Sequence, residues 1–335
     1  DSWFSSNKEG FDSPWDRQLH MKKIAVIEKI HNDGLELLKR KQDYDYELIT
    51  DISEENLIKK LPEFDACTLR VTKLSENILK HCPKLKVISR HGVGYDNVDL
   101  NYIKTKNIAL LITATANAVA VSEHVVYMML SISKSIDLYD TEVRSGNFKK
   151  NSSNIETLEL FNKEILIIGF GRIGKSLIKR CLGFDMKVKI FDPFVSKESI
   201  EELGGDKIDN LDNGLKTCDY LSLHIPLTEK TKNMIDYSKL KTMKKNAIII
   251  NTSRGGIINE YDLFEVLSSG HLGGVALDVF EKEPYQGDLT KIERCLLTPH
   301  IGTMTTDCRS MMEVQAVEEV VRFFKGEKLR RIISK

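Results

Sequence analysis

Residues 169–174 read Gly-Phe-Gly-Arg-Ile-Gly, and Asp192 stands 23 positions after the first of them. The run follows the apolar segment Glu164–Ile168 and opens the helical pattern Lys175–Phe184, and a second apolar run, Lys187–Phe191, leads into the acid. Read as packing alone, the glycines would serve only a sharp turn. Strand, glycine turn, helix, strand and acid in this order are better suited to holding a dinucleotide. Gly169 permits the turn, Gly171 lets backbone approach a pyrophosphate, and Gly174 lets helix and strand pack closely. The helix N-terminus offers unpaired N–H groups to phosphate. Asp192 can accept hydrogen bonds from a ribose diol. A carboxylate there repels a 2′-phosphate, and Pro193 and Phe194 bring no cation to neutralise one. The expected cofactor is therefore NAD rather than NADP.

Three further residues follow predicted strand ends, where ligands bind in open α/β sheets. Arg254 comes after Ala247–Ile250, Glu283 after Gly274–Leu277, and His300 after Cys295–Leu297. Hydride transfer to a keto acid needs a cation for the carboxylate, a proton donor for the ketone, and a group that tunes the donor. Arginine grips carboxylate bidentately and never deprotonates. Histidine gives and takes a proton near neutral pH, and a neighbouring glutamate stabilises the imidazolium. Each residue alone has an ordinary structural reading: a turn arginine beside Gly255-Gly256, a solvated loop acid, a histidine closing a turn. Three in succession along one nucleotide sheet are harder to explain that way.

The elements that must position these side chains alternate along the whole chain. Strand-like runs at Lys23–Ile27, Tyr46–Ile49, Ala66–Leu69, Lys86–Ser89 and Ile108–Leu111 are separated by amphipathic stretches. The rhythm repeats at Ile165–Ile168, Val188–Phe191, Tyr220–Leu223, Ala247–Ile250, Gly274–Leu277 and Cys295–Leu297. This predicts an α/β protein of two doubly wound parallel-sheet domains. A chain of 335 residues exceeds the usual single core, which agrees. The apolar helix Ser122–Ser133 would connect the two, and the last helix, about Asp307–Lys325, would cross back to the first. The expected division is a peripheral or expression-derived extension at 1–20, a substrate domain of 21–117 and 303–335, and an inserted dinucleotide domain of 118–302.

Bulk properties exclude several classes. Lys plus Arg and Asp plus Glu both number 49, with no long run of one sign, so no nucleic-acid or membrane surface is expected. No stretch of about 18 uninterrupted apolar residues suggests a membrane span, and residues 1–20 lack the apolar region of a signal peptide. The six cysteines show no metal-ligand spacing and read as small apolar residues of a reducing cytoplasm, with no metal expected.

The chain resembles the D-isomer-specific 2-hydroxyacid dehydrogenase family. The resemblance runs from Met21 to the C-terminal helix. It is carried by His91-Gly-Val-Gly-Tyr-Asp-Asn-Val-Asp99, Gly169–Gly174 with Asp192, and His224-Ile-Pro-Leu227. Further along the chain it is carried by Asn251-Thr-Ser-Arg-Gly255, Ala276-Leu-Asp-Val-Phe280 with Glu283-Pro284, and Thr298-Pro-His-Ile-Gly302. Phosphoglycerate dehydrogenases of the short type look closest. The resemblance implies a Rossmann NAD-binding domain inserted into a flavodoxin-like substrate domain, with a cleft between them. It implies that Arg254 holds the substrate carboxylate, that His300 is the acid/base and that Glu283 is its partner. Asp278 would contact the nicotinamide carboxamide, and Arg172 and Ile173 would offer backbone N–H groups to the pyrophosphate. His224, Pro226 and Thr231 would border the adenine or the phosphates, and Thr252 and Gly302 would complete the cofactor set. Val93 and Gly94 would present N–H groups to the carboxylate, and Asn117 would sit at the crossing between domains.

Arg70, with Lys73 nearby, matches the cation that phosphoglycerate-specific relatives place near the phosphate, although Thr72 stands where a second basic residue often lies. As a surface arginine at a strand end it would have no such role. Other departures are Thr113-Ala-Thr-Ala-Asn117, which lacks the family's proline, and Phe148, where a tryptophan is common. The implied activity is 3-phosphoglycerate oxidation, the first step of serine biosynthesis. Hydroxypyruvate or glyoxylate reduction is the alternative in the same class, and an NAD(H)-sensing corepressor is the alternative in another. A formate dehydrogenase reading is disfavoured, because those relatives lack the Glu283 partner. The family also implies a homodimer through the nucleotide domains, and no regulatory domain of the ACT type is expected after residue 335.

Overall fold

The computed structural model describes residues 21–113, 115–148 and 157–334. The expectation for 1–20 lies outside them. The chain forms two compact units, one running up to Ala116 and resuming at Thr306, the other spanning Asn117–Thr305.

The first unit carries β1 (Lys22–Ile27), β2 (Tyr44–Ile49), β3 (Ala66–Leu69), β4 (Val87–Arg90) and β5 (Ala109–Ile112). They lie parallel in the order β5-β4-β3-β1-β2, the flavodoxin-like winding. The central strands β3, β4 and β5 are almost wholly buried, which is why they read as continuous apolar runs rather than alternating ones. One expectation changes here. After the helix Thr306–Lys325 the chain adds a strand at Ile332–Ser334, antiparallel to β5, so this sheet is not purely parallel. Two isoleucines and a serine are too short a run to show strand periodicity.

The second unit opens with the helix Ala118–Lys134, longer than the predicted Ser122–Ser133. Its strands are β6 (Glu164–Ile168), β7 (Lys187–Phe191), β8 (Asp206–Lys207), β9 (Tyr220–Leu223), β10 (Ile248–Asn251), β11 (Gly274–Leu277) and β12 (Cys295–Leu297); β13 is Ile332–Ser334 of the first unit. The order β12-β11-β10-β9-β6-β7-β8 is a doubly wound nucleotide sheet that reverses between β6 and β9. The two-residue β8 left no signal in the sequence. Asn117 and residues 303–305 fall in this unit, two short shifts from the expected boundaries. The Asn117 carbonyl already accepts from Val121, and Met304 donates to the Ile301 carbonyl, which ties both ends to neighbours in the sheet's own loops.

Six free cysteines are present, five of them buried, and burial pushes the Cys82 thiol up to about 11 and the Cys181 thiol up to about 12. Such thiols stay protonated and pack as small apolar groups. No described helix is long and apolar enough to cross a membrane.

The first unit also buries an unusual acid. Glu313, in the helix Thr306–Lys325, is 1% exposed, and neither carboxyl oxygen has a hydrogen-bond partner. Burial pushes its carboxyl up to about 7. The folded state then holds a proton that the unfolded chain has already lost, so Glu313 lowers stability as pH rises from about 4.5 to about 7. Between pH 5 and 8 the parent should lose about 2–3 kcal/mol more stability than Glu313→Gln. Urea unfolding at the two pH values measures this, and parallel slopes would contradict it.

Candidate active site

The turn after β6 is built by steric necessity. Gly169 has φ +95°, and a Cβ there would stand 2.5 Å from the His224 carbonyl oxygen. A Cβ on Gly174 would meet the Gly169 carbonyl at 2.4 Å. Both positions therefore require glycine for the protein's own packing. Gly171 differs. Its φ is −73°, and a Cβ there would meet nothing within 4 Å. Packing does not explain that glycine, whereas a phosphate seated over the turn does. The helix Arg172–Leu182 begins at Gly171 with no side-chain cap, and Ile173 lies in its first turn, the end that favours an anion.

Asp192 closes the far side of the turn. Its Oδ2 accepts from Phe170 N at 2.8 Å and its Oδ1 from Phe194 N at 2.9 Å. The carboxylate is thus held at the glycine turn with lone pairs to spare for a diol. His224, after β9, shares a 2.8 Å hydrogen bond through Nε2 with the Ser222 hydroxyl, while its buried Nδ1 has no partner. Burial lowers its pKa to about 4, so the ring is neutral. The Thr252 hydroxyl is also buried without a partner. The Thr231 hydroxyl donates to the Pro226 carbonyl at 2.7 Å and closes the loop after β9 on itself. Unpaired buried polar atoms at a strand-end crevice mark groups that a bound molecule would satisfy. These residues fit a dinucleotide.

The three candidate catalytic residues follow adjacent strands. Arg254 follows β10, and its Nη1 donates to the Ser253 carbonyl at 2.6 Å. The next residue, Gly255, presses on the loop after β11: a Cβ there would fall 1.9 Å from the Phe280 carbonyl carbon. That contact sets the loop of Arg254 against the loop carrying Glu283. Glu283 accepts from Phe280 N at 3.2 Å through Oε1, and its Oε2 lies 3.1 Å from His300 Nδ1. With Nδ1–H donating to the carboxylate, Nε2 is the atom left to exchange a proton. His300 itself sits at φ +56°, a left-handed conformation that a non-glycine residue adopts only when its surroundings hold it there.

Asp278 supplies that hold. It is 1% exposed. Its Oδ1 accepts from the Thr298 hydroxyl at 2.6 Å and Ile301 N at 2.7 Å, and its Oδ2 from Gly302 N at 2.8 Å. His124 Nε2 lies 3.6 Å from Oδ1. Burial alone would raise the Asp278 pKa, but the donors from His124, Thr298, Ile301 and Gly302 outweigh it and hold the carboxyl below its usual range. The sequence reading gives Asp278 a nicotinamide contact and Gly302 a cofactor role. In the structure both oxygens of Asp278 and the N–H of Gly302 are engaged with each other and with the histidine loop.

The remaining predicted residues lie elsewhere. Arg70 follows β3 and Val93 and Gly94 follow β4, all in the first unit. Asn117 precedes the helix Ala118–Lys134, is buried, and makes no side-chain cap. Sequence reasoning passed over three residues that matter for position. Glu28, at φ +73°, accepts from Val71 N, Thr72 N and the Thr72 hydroxyl and so shapes the loop after Arg70. His124 supports Asp278. Glu313 is the buried acid described above. A lone histidine in an apolar helix and a glutamate in an amphipathic one carry no local signature, so no pattern would have found them.

Taken together, the sheet edge carries a reversal-point glycine turn with Asp192 bonded to it, and a histidine paired to a glutamate. The model for the D-isomer specific 2-hydroxyacid dehydrogenase, NAD binding domain, matches residues 126–302. The chain is 35% identical over 323 residues to a glyoxylate reductase of Thermococcus litoralis, covering 93% of this chain and 97% of that one. It is 32% identical over 316 residues to a D-3-phosphoglycerate dehydrogenase of Methanocaldococcus jannaschii, covering 94% of this chain but 60% of that relative. The chain thus spans about three fifths of the length of the phosphoglycerate dehydrogenases of M. jannaschii and Archaeoglobus fulgidus (60% and 59%). A solved D-lactate dehydrogenase of Aquifex aeolicus, complexed with NAD and lactic acid, superposes with a TM-score of 0.80 at 28% identity, over 91% of this chain and 96% of that one. The chain belongs to the D-isomer-specific 2-hydroxyacid dehydrogenase family.

The two glycines make separable predictions. Gly169→Ala should destabilise the unit by about 1–3 kcal/mol, since it combines a positive φ with a backbone clash. Gly171→Val should cost no more than about 1 kcal/mol of stability yet weaken NADH binding at least tenfold. Urea unfolding and NADH fluorescence titration separate the two effects, and equal behaviour of both variants would refute the assignment.

Proposed function

We propose that this chain transfers hydride between NAD and a D-2-hydroxy acid/2-keto acid pair. The observation that carries the reading is the 3.1 Å pairing of His300 Nδ1 with Glu283 on the same sheet edge as the glycine turn. NAD bound along that turn supplies the hydride acceptor at its nicotinamide. In the oxidative direction His300 Nε2 takes the hydroxyl proton, and in the reductive direction it returns it. Glu283 keeps the ring in the correct tautomer and stabilises it when charged. Arg254 holds the substrate carboxylate, so that the carbon losing hydride is oriented before reaction. Asp192 favours NAD over NADP through its anchored carboxylate. Arg70, Val93, Gly94 and Asn117 keep the substrate-binding roles that the resemblance implies.

Among substrates, 3-phosphoglycerate with its keto acid 3-phosphohydroxypyruvate is the first reading, on the strength of Arg70; this would make the protein a cytoplasmic enzyme of serine biosynthesis. Glyoxylate or hydroxypyruvate is the second, favoured by the near full-length match to the T. litoralis enzyme. The deciding experiment measures turnover of 3-phosphoglycerate with NAD against glyoxylate and hydroxypyruvate with NADH, with NADP(H) as the control. His300→Ala should lower kcat by about 10²–10⁴ with NADH affinity retained. Near-parental kcat in that variant, or turnover of none of these acids, would end the reading.

We also propose a homodimer through the helices Ala118–Lys134 and Ile136–Arg144. Val119, Tyr127, Ile136 and Val143 are each more than half exposed there, and Phe148, which follows, is 79% exposed. Apolar side chains left exposed along two consecutive helices suit an interface. Ile136→Asp with Val143→Asp should shift the species seen by light scattering from dimer to monomer; a monomeric parent would refute this.

A further inference from the structure

Ser122, Glu123 and His124, consecutive in the helix Ala118–Lys134, bond in two directions within the unit Asn117–Thr305. One direction is the helix Arg172–Leu182, which opens at the glycine turn. There the Ser122 hydroxyl shares a 2.9 Å hydrogen bond with that of Ser176, and Glu123 Oε1 accepts from Arg180 Nη2 at 2.9 Å. The other direction is the histidine loop. His124 Nε2 lies 3.3 Å from the Thr298 hydroxyl and 3.6 Å from Asp278 Oδ1. The Thr298 hydroxyl commits its one hydrogen to Asp278 at 2.6 Å, and an ionised carboxylate can only accept. Nε2 of His124 therefore carries a hydrogen and donates. The same helix face covers the loop itself. A Cβ on Gly302 would stand 3.0 Å from Asp278 Oδ2, 3.6 Å from His124 Cδ2 and 3.7 Å from Val121 Cγ2. The His124 side chain is 13% exposed, and its ring stacks on Tyr127 with centroids 6.0 Å apart.

We propose that His124 is a positioning residue for His300: its Nε2–H fixes the Thr298–Asp278 pair, and that pair fixes the loop on both sides of the acid/base. This rests on the reading of His300 as the acid/base. Asp278 Oδ1 takes the Thr298 hydroxyl and the Ile301 N–H at 2.7 Å, while Oδ2 takes the Gly302 N–H at 2.8 Å. Thr298 stands two residues before His300, and Ile301 and Gly302 follow it, so the bonds flank a residue at φ +56°. Such a conformation costs about 1–3 kcal/mol and persists only while its surroundings hold it. One donor, worth about 1 kcal/mol, is a sizeable share of that restraint. Without it the Thr298 hydroxyl is free to turn to another acceptor, and the loop relaxes. His300 Nδ1 then leaves its 3.1 Å contact with Glu283, and the ring loses its reason to keep the hydrogen on Nδ1. The helix imidazole thus selects the tautomer of the loop imidazole.

Two readouts on the full chain test this. The first needs no substrate: nitrogen NMR of isotopically labelled histidine, with the His300 ring signals assigned by their loss in His300→Ala. Where that ring is neutral, the parent should carry its hydrogen on Nδ1 alone. His124→Phe keeps a ring against Tyr127 but has no N–H, and its His300 should populate both tautomers. His124→Gln returns an N–H near the same place and should restore the parental signature. His124→Leu stands in for Phe should that ring fold poorly. The second readout is kcat with NADH and whichever of hydroxypyruvate and 3-phosphohydroxypyruvate the parent reduces. His124→Phe should lower it about tenfold to a hundredfold, with Gln recovering most of the loss and NADH affinity moving less than about threefold in both. A parental tautomer in His124→Phe, or a Gln variant that behaves as Phe does, would overturn the proposal. If His300→Ala keeps a near-parental kcat, the acid/base reading fails instead, and the ring signature alone decides whether His124 positions that loop.

Discussion

Parallel pairing in register is the constraint from which the site follows. Ile168 of β6 lies opposite Leu223 of β9, Leu223 opposite Asn251 of β10, Asn251 opposite Leu277 of β11, and Leu277 opposite Leu297 of β12. Five strands thus end on one line. The ladder continues one step past it, since His224 N donates to the Ile168 carbonyl, Asp278 N to that of Asn251, and Thr298 N to that of Leu277. A one-residue slip in any pair would turn a strand inside out, and β6, β9, β10 and β11 are buried on both faces. The hydrophobic core therefore sets where Gly169, His224, Arg254, Asp278 and His300 leave the sheet, although none of them contributes apolar area of its own.

Register brings the loops to one edge but does not orient the side chains. That work falls to two close contacts. Gly255 lies so near the Phe280 carbonyl that no larger residue fits, which couples the arginine loop to the glutamate loop. Asp278 then grips the backbone on the far side of His300 and fixes a left-handed histidine that an isolated chain would rarely populate. A buried carboxylate is costly unless its oxygens are well donated to. Here the donors are the loop to be positioned, so its desolvation penalty is offset by the same bonds that pre-orient the imidazole. Pre-orientation of this kind lowers the reorganisation needed when a proton moves.

The parts of this arrangement that were legible in the sequence share a property: their physical cause is local. Gly169, Gly174 and the apolar runs of β6 and β7 announce themselves because backbone conformation and two-sided burial restrict residue type at each position. Arg254, Glu283 and His300 could be read because each follows a strand end by a few residues. What could not be read is set by packing across long separations. The Asp278 contact with His124 joins residues 154 apart, and the enclosure of Glu313 by Gly34 depends on a helix returning to the first unit. β8 and β13 were missed for a different reason. At two and three residues they are held by their neighbours' ladders and need no pattern of their own.

The same distinction separates the chemistry of the family from recognition of the substrate tail. Hydride transfer with a neighbouring acid/base makes demands on geometry that few sequences meet, so its residues form recognisable blocks. Recognition of a substrate tail makes weaker demands, since one guanidinium at a strand end suits a phosphate, a carboxylate or nothing at all. Relatives described as a phosphoglycerate dehydrogenase and a glyoxylate reductase accordingly match this chain at 32% and 35% identity. For a site of that kind the deciding quantity is the net charge around the guanidinium rather than its presence.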